Sequence, residues 1–452
     1  MSKYLVLLLF LPCFGFSQTL LEKTSVSQQL EDFEILKTTL LENHLGLYDY
    51  TDSISFNTSL LELKSGLNSP QTILSQLTLY KKLITDINCI HSQVIRKGLR
   101  KDFKKFKYQL PFSTYFVNEK LFVSSEFENE SCILSLQDEI LEINGEAIKV
   151  LTPLLHQLIP SDGRNITRKN QDLKNNYLLY YFMIKQKSGA FHLKYTHKGD
   201  TLTHDFLNQY PVSSPKIKKK INQSITFKLD SIKSYAVLIL PYPLPSNSKY
   251  KKELDNFFCL IDSIKINNLI LDLRNNGGGQ SQEYLAGFFS SNSYCMVTKI
   301  SNKEKYFTYK KHFKNRFSFK HIIGKLSSQM TTSTTVAISQ SKQFTGNLSV
   351  LINGNTASAA SNLASSLKEW SNAFMVGEES GGGYRGCNSD GLILELPNSK
   401  IQVVINVAKA VNTVMNTYEN DGVSPHVYIV GSNLLNPPKD LQLDYLIDKL
   451  NN

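Results

Sequence analysis

The chain has 452 residues, of which 41% are hydrophobic and 20% are charged, and its formal net charge is +11. This length exceeds that of one ordinary domain and predicts two or three domains, each able to bury a core without disulfide staples. The positive charge is scattered except for a short cluster at Lys216–Lys220, and no nucleic-acid-binding motif accompanies it. We therefore predict no nucleic-acid partner and interpret the cluster as a solvated segment.

The first 17 residues have the pattern of a cleaved secretory signal. Lys3 precedes an apolar run over residues 4–14, and the small residues Gly15 and Ser17 occupy the −3 and −1 positions of a cut before Gln18. No later run is long enough for a transmembrane helix, so the mature chain is predicted to have no integral membrane segment. The pattern predicts export to the periplasm or the outside of the cell.

Five cysteines remain after the predicted signal peptide, and they are widely spaced along the chain. Their spacing matches neither a disulfide framework nor a zinc-binding motif. We interpret them as core or incidental residues, and we predict no metal and no organic cofactor. These cysteines are Cys89, Cys132, Cys259, Cys295 and Cys387.

The front half of the chain divides by pattern into a helical part and a part with short strands. Residues 18–95 carry apolar residues at helical spacing, and Asn68–Pro70 predicts the start of a helix within them. Residues 96–210 alternate in short runs, with strands predicted at Leu121–Ser124 and at Asp138–Gly145, which ends in an Asn-Gly turn. A helical N-terminal domain is therefore followed by a small strand-rich module.

The rear half has the pattern of an α/β domain. A segment rich in Lys, Ser and Pro, residues 211–230, predicts a linker, and residues 231–452 then alternate buried strands with helices. The fold class is therefore α/β and multidomain. The predicted elements of the rear domain are strands at Tyr235–Leu240, Leu269–Leu273 and Ser349–Ile352 and a hairpin over Leu392–Ile405.

One candidate functional turn follows a buried strand at Asn276–Gly279. Three consecutive glycines allow the backbone to approach a ligand and point its amide groups outward. The Lys-Ser/Thr ending of a phosphate-binding loop is missing, whereas an oxyanion hole needs only such free amides. Taken alone, the motif fits a tight structural turn equally well.

The second candidate turn is Asn355–Ser361, which lies between a strand and a helix rich in small residues. Ser358 would present an uncrowded hydroxyl at a helix N-terminus, where backbone amides stabilise the negative charge that forms when a serine attacks a carbonyl. The alternative is a simple helix N-cap with small residues for close packing.

Taken together, these turns resemble the C-terminal processing (tail-specific) serine peptidases. Two further segments, Gly377–Gly383 and Gly422–Pro425, follow in that family's order. The resemblance implies an α/β spiral core of the crotonase/ClpP-like type and an exported endopeptidase that acts through an acyl-enzyme. It also implies Ser358 as the nucleophile and the amides of Gly278 and Ala359 as the oxyanion hole.

The base implied by the resemblance comes from the tricorn-like branch of the family. Many members use a lysine, but Arg385 stands in the corresponding stretch, and its pKa is far too high for a base. The tricorn-like branch uses a histidine and a glutamate, which match His91 and Glu419 here. His44 is a weaker candidate for the base, and Asp421 is an alternative to Glu419 in the orienting role.

The segment Gln137–Gly145 resembles the strand-and-turn signature of PDZ domains, so residues 96–210 are predicted to form a PDZ-like module. Such a module either captures a peptide as an added strand or has a purely structural role. The expected partner is a peptide or unfolded protein segment. The competing hypothesis is a catalytically silent peptide-binding protein on the same scaffold, and a small-molecule esterase or amidase is a third.

Overall fold

The computed structural model describes most of the chain after the predicted signal peptide. Glu419 and the Lys216–Lys220 cluster lie outside the described residues, as does the signal peptide itself. The described residues are 20–97, 99, 110–129, 132–186, 191–206, 224–280, 282–301, 307–314, 331–339, 343–415, 421–431 and 439–451.

Helices and strands alternate through the described residues. The helices are α1 (Val26–Asn43), α2 (Ser53–Gly66), α3 (Ile73–Asp86), α4 (Ile148–His156), α5 (Ile166–Leu173), α6 (Tyr177–Lys185), α7 (Ser248–Ser263), α8 (Gln282–Ala286), α9 (Ala359–Trp370) and α10 (Leu441–Asn451), with a 3₁₀ turn at Lys310–His312. The strands are β1 (Val94–Ile95), β2 (Thr114–Val117), β3 (Lys120–Val123), β4 (Phe127–Asn129), β5 (Cys132–Leu134), β6 (Glu139–Ile143), β7 (Glu146–Ala147), β8 (Phe191–His197), β9 (Asp200–Phe206), β10 (Thr226–Asp230), β11 (Tyr235–Ile239), β12 (Asn268–Asp272), β13 (Tyr294–Ser301), β14 (Thr331–Val336), β15 (Asn347–Ile352), β16 (Phe374–Gly377), β17 (Gly386–Glu395), β18 (Gln402–Asn412) and β19 (Val427–Tyr428).

The first three helices begin at capping residues. Ser25 forms a capping box with Gln28 at the start of α1. The Thr72 hydroxyl accepts from the Ser75 amide at 3.1 Å, so α3 starts at Ile73. The predicted start at Asn68–Pro70 is therefore three residues too early, because the side chain that caps the exposed amides is Thr72.

The strand-rich part between the helical front end and the rear half, called the middle module below, forms an antiparallel sheet. Its strand order is β2-β3-β6-β8-β9, with β7 added to β6. Asn144 and Gly145, both at positive φ, make the predicted turn between β6 and β7. Strands β3 and β6 coincide with the two strands that the alternating pattern predicts.

The described strands of the rear half belong to two sheets, one of which has the order β1-β18-β13-β14 with β17 paired to β18 and so includes β1 of the front half. The other has the order β10-β11-β12-β15-β16-β19, in which β11 to β19 run parallel and β10 pairs antiparallel with β11 at the edge. Helices α7, α8 and α9 pack on one face of this sheet and α10 on the other. Because Thr226–Asp230 forms β10, the predicted linker over 211–230 ends earlier than the composition indicates.

The front and rear halves share one apolar core. Buried side chains of α1 to α3 and of the middle sheet belong to the same cluster as Leu394, Val403 and Ile405 of the hairpin β17–β18. Strand β1 extends this contact, since Val94 pairs with Val403 and the Val404 amide donates to the Gln93 carbonyl at 2.9 Å. The turn that precedes β1 is thereby fixed against the rear half.

Candidate active site

Ser358 occupies a strained position between β15 and α9. Its φ and ψ are 55° and −129°, in the region that glycine favours and other residues rarely adopt. Its side chain makes no capping hydrogen bond to the helix, although Ser358 is the N-cap residue. The hydroxyl is therefore not used to cap the helix, as is expected of a nucleophile on a strand-to-helix turn.

The two candidate turns are joined by asparagine side chains. Asn353 Oδ1 accepts from the Asn275 amide at 3.0 Å, and Asn275 Oδ1 accepts from Asn353 Nδ2 at 3.2 Å and from Asn355 Nδ2 at 3.0 Å. The Ala357 amide donates to the Asn276 carbonyl at 3.1 Å. This network holds the turn Asn276–Gly279, the glycine turn, in a fixed position beside the turn Asn355–Ser361, the serine turn.

Gly278 lies directly against the Ser358–Ala359 peptide. Its φ is 94°, and a Cβ atom at this position would lie 2.6 Å from the Ala359 nitrogen and 2.8 Å from the Ser358 Cβ. Only glycine fits so close to the serine turn. The Gly278 amide donates to Asn276 Oδ1 at 3.0 Å, so it is already engaged in the free protein.

The other two segments that carry the family resemblance, Gly377–Gly383 and Gly422–Pro425, also lie at this site. The Gly382 amide donates to the Thr356 carbonyl at 3.0 Å, and the Ser380 and Val423 backbones bond to each other through the Ser380 amide and the Val423 carbonyl at 3.1 Å. The side chain of Arg385, which stands where many family members have a lysine, is exposed. The structure therefore brings together all four segments that carry the resemblance.

His91 lies in the turn between α3 and β1, and it lines a cavity of about 480 Å³ beside the serine turn. His91 Nδ1 is buried and has no hydrogen-bond partner within the described part of the chain. The cavity draws on both halves of the molecule, and its lining residues are Ile90, His91, Gln93, Arg168, Tyr242, Asn275, Gly277, Asn355, Ala357 and Val404.

Burial sets the charge of the His91 ring. It lowers the pKa of His91 from an ordinary 6.5 to about 4, because the surrounding protein does not solvate the imidazolium. The ring is therefore neutral at pH 7 and has a lone pair to accept a proton.

Asp162 and Cys89 lie beside His91. One potential ligand atom from each of these three side chains lies within 4.8 Å of the other two. Asp162 accepts from the Ile90 amide at 2.8 Å and from the Gly383 amide at 3.0 Å, so its carboxylate connects the front turn to a glycine segment of the rear half. Burial raises the pKa of Asp162 to about 7. Sequence reasoning missed Asp162, because an Asp-Gly pair is an ordinary turn signal.

Cys387 contacts the candidate nucleophile. The side chains of Ser358 and Asn362 lie beside its thiol. Burial is the largest influence on the pKa of the Cys387 thiol and raises it, while these two polar neighbours act in the opposite direction. In the free protein, the Ser358 hydroxyl therefore has a neutral thiol as a neighbour.

His44 supports the turn that carries His91. His44 Nε2 is hydrogen-bonded to Ser92 Oγ at 2.7 Å, and Asn406 Nδ2 donates to the same oxygen at 2.9 Å. Burial lowers the pKa of His44 to about 4. Asp421, the alternative orienting acid, accepts from the Arg164 amide at 2.9 Å.

Comparison with known proteins bears on the segment that contains Ser358. Residues 236–429 match the model of peptidase family S41. This segment is similar to the core of the S41 peptidases. The match confirms the resemblance to the C-terminal processing peptidases and indicates a serine-type peptidase. A comparison with curated protein sequences finds no match.

Solved structures share the overall fold. Mature CPAF in complex with lactacystin is 15% identical with a TM-score of 0.64, and the alignment covers 94% of this chain and 97% of that one. A candidate peptidase from Parabacteroides merdae ATCC 43184 is 12% identical with a TM-score of 0.50, over 94% and 97% of the two chains. These likenesses confirm a mixed α/β fold. Within the described residues, no helix combines the length and apolar character needed to cross a membrane.

Proposed function

We propose that this chain is an exported serine endopeptidase that hydrolyses peptide bonds through an acyl-enzyme, with Ser358 as the nucleophile and His91 as the general base. The observation that carries the proposal is the shared cavity. A half-buried, neutral imidazole from the front half and Ala357, the neighbour of the strained Ser358, line the same 480 Å³ space. An uncharged base next to a serine on a strained turn is the arrangement that nucleophilic catalysis needs.

The reaction follows from these positions. Ser358 Oγ attacks the substrate carbonyl, and the His91 ring takes the hydroxyl proton and later returns it to the leaving amine. Water then attacks the acyl-enzyme, again with His91 as the base. On substrate binding, the Ser358 hydroxyl turns from the Cys387 thiol towards the imidazole, since catalytic hydrogen bonds in free enzymes are often loose or unformed.

The oxyanion is proposed to lie between the amides of Ala359 and Gly278. The Ala359 amide opens α9, so the helix dipole adds to its effect. The Gly278 amide donates to Asn276 Oδ1 in the free protein and has to be shared with the oxyanion or released to it.

Carboxylates are proposed to stabilise the imidazolium that forms on His91 during attack. Glu419 is assigned to this role by its place before the Gly-Val-Ser-Pro segment, with Asp421 as the alternative. Asp162 is a further candidate, since a carboxylate oxygen of Asp162 lies within 4.8 Å of a His91 ring nitrogen.

The domain assignments belong to the same proposal. Residues 1–17 would be removed on export, and residues 18–95 form the helical domain that contributes His91. Residues 96–210 form the PDZ-like module, and residues 231–452 together with the edge strand β10 form the crotonase/ClpP-like core. Substrates would be peptides or unfolded protein segments in the periplasm or outside the cell. The antiparallel sheet of the middle module supports this role, because an extended peptide adds to such a sheet as a further strand.

A fluorophosphonate probe tests the proposal. We expect the purified protein to be labelled at Ser358 and Ser358→Ala to abolish labelling without lowering the melting temperature. Ser365→Ala, about two turns further along the same helix, is the matched control and should leave labelling unchanged. Labelling that persists in Ser358→Ala would remove Ser358 from the mechanism, and no labelling of the wild type would favour the catalytically silent peptide-binding protein.

A further inference from the structure

The cluster of Cys89, His91 and Asp162 has the composition of a transition-metal site. The three potential ligand atoms, a thiol sulfur, an imidazole nitrogen and a carboxylate oxygen, lie within 4.8 Å of one another. These are the ligand types that Zn²⁺ binds in proteins. We propose that Zn²⁺ binds to these three side chains and inhibits the peptidase by occupying the His91 ring. The inhibitory part rests on the proposed function, whereas the binding part does not.

The geometry requires only small movements. Zinc bonds of about 2.0 to 2.3 Å in a tetrahedral site place neighbouring ligand atoms roughly 3.3 to 3.8 Å apart. The present separations of up to 4.8 Å therefore have to close by about 1 to 1.5 Å, which side-chain torsions can supply. Three protein ligands leave the fourth position to water, as in zinc sites with an open position.

Charge also favours a divalent cation here. A thiolate from Cys89 and a carboxylate from Asp162 together carry two negative charges, which balance one Zn²⁺. Cys89 and Asp162 are both fully buried. A neutral complex of Zn²⁺ with the thiolate and the carboxylate is therefore favoured over either anion alone, because an unpaired buried charge is costly. The proton of each acid leaves to solvent when the metal binds.

The surroundings of the ligands form a second layer of support. Asn388 Nδ2 donates to Cys89 Sγ at 3.5 Å and Asn406 Nδ2 donates to it at 3.7 Å, contacts that stabilise a thiolate. The Ile90 and Gly383 amides orient the Asp162 carboxylate in the same way.

The independent sign of a missing ligand is the His91 ring itself. Its buried Nδ1 has no hydrogen-bond partner among the residues whose structure is described. Buried polar atoms are rarely left unsatisfied, so an unsatisfied nitrogen on a ring that lies beside a thiol and a carboxylate indicates a ligand position. A metal on the imidazole would withdraw the base from Ser358 without touching the serine turn.

Zinc binding is best measured on full-length Ser358→Ala protein, because this measurement does not depend on hydrolysis. In a competition titration with a chromophoric zinc chelator, we expect one Zn²⁺ per chain. Cys89→Ser added to this background should weaken binding by at least about tenfold, and Cys259→Ser, at an exposed free cysteine, should leave it unchanged. Co²⁺ should give a thiolate-to-metal charge-transfer absorption that Cys89→Ser removes. Absence of stoichiometric binding, or equal binding by Cys89→Ser, would overturn the proposal.

Inhibition is measured on protein with Ser358 intact. The ratio of hydrolysis rates with and without Zn²⁺ is determined within each variant, so that differences in basal rate cancel. We expect Zn²⁺ to inhibit the wild type, a chelator to restore its rate, Mg²⁺ to have no effect and Cys89→Ser to resist inhibition. Zinc binding by a protein without hydrolase activity would overturn the proposed function and leave the metal site standing. An active enzyme that Zn²⁺ does not inhibit would overturn the regulatory inference alone.

Discussion

The two halves of the molecule build their parts of the candidate site by different means. In the rear half, backbone geometry makes the site: Ser358 at positive φ, Gly278 pressed against the Ala359 nitrogen, and asparagine side chains between two turns. In the front half, one side chain on a short turn makes the contribution, and its position depends on the pairing of β1 with β18. The rear half therefore fixes the nucleophile locally, whereas the base is placed by tertiary packing.

This difference leads to the largest predicted effect. His91→Ala removes the base and leaves the residues of the rear half unchanged, yet it should abolish most of the activity. Without a base, kcat for peptide hydrolysis should fall by about 10⁴- to 10⁶-fold, as is found when the histidine of a serine peptidase is removed. His192→Ala is the control, since His192 is half-exposed and paired with Asp205 in the middle module. Steady-state hydrolysis of an unfolded protein substrate provides the measurement, and a near wild-type rate in His91→Ala would exclude the front half from the chemistry.

A smaller loss is expected from Gly278→Ala, which perturbs only the backbone of the rear half. The new Cβ would lie 2.6 Å from the Ala359 nitrogen, so it would displace one or both oxyanion donors. Loss of one such donor lowers kcat by about 10²- to 10³-fold.

Gly199→Ala is a matched control for the cost of positive φ. Gly199 has a φ of 96°, close to the 94° of Gly278, but a Cβ there would meet nothing within 4 Å. Gly199→Ala should lose only the stability that positive φ costs, Gly278→Ala should lose more in a thermal melt because its Cβ also meets the serine turn, and only Gly278→Ala should lose activity. Equal activities in the two variants would show that the glycine turn does not hold the oxyanion.

The smallest predicted effect is on the pH dependence of kcat/KM. It distinguishes two titrating groups of the front half, His91 and Asp162. Burial lowers the pKa of His91 to about 4, so kcat/KM should fall steeply as the pH drops through about 4 and the base becomes protonated. Burial raises the pKa of Asp162 to about 7, and the anionic form supports the imidazolium, so a second, shallower decrease is expected as the pH falls through about 7.

The variant Asp162→Asn separates the two inflections of the pH profile. It should remove the inflection near 7 and leave the one near 4. A single inflection close to 6.5 in the wild type would mean that the His91 ring is solvated in the working enzyme, contrary to the buried position described above.

The contrast also explains how far the sequence alone predicts this molecule. The serine turn and the glycine turn were recognisable because backbone strain and close approach restrict the residue types to glycine and other small residues, which leave a visible pattern. The strands β11, β12 and β15 were predicted for a related reason, since buried parallel strands are continuous apolar runs.

The environment of His91 left no comparable pattern. Asp162, Cys89 and Cys387 are separated by tens to hundreds of positions in the chain and meet only through the shared core. The base was assigned by resemblance to a family, and the depressed pKa of its ring depends on burial that composition does not reveal. Sequence pattern therefore predicts the backbone-determined half of the site better than the half that packing assembles.

The most direct test of the account measures whether a front-half imidazole activates the rear-half serine. The rate of fluorophosphonate labelling is compared between the wild type and His91→Ala, and the adduct is mapped by mass spectrometry. We predict an adduct on Ser358 in both proteins and a labelling rate at least about 10²-fold lower in His91→Ala. Equal labelling rates at Ser358 would contradict the account, because the serine would then be activated without the histidine.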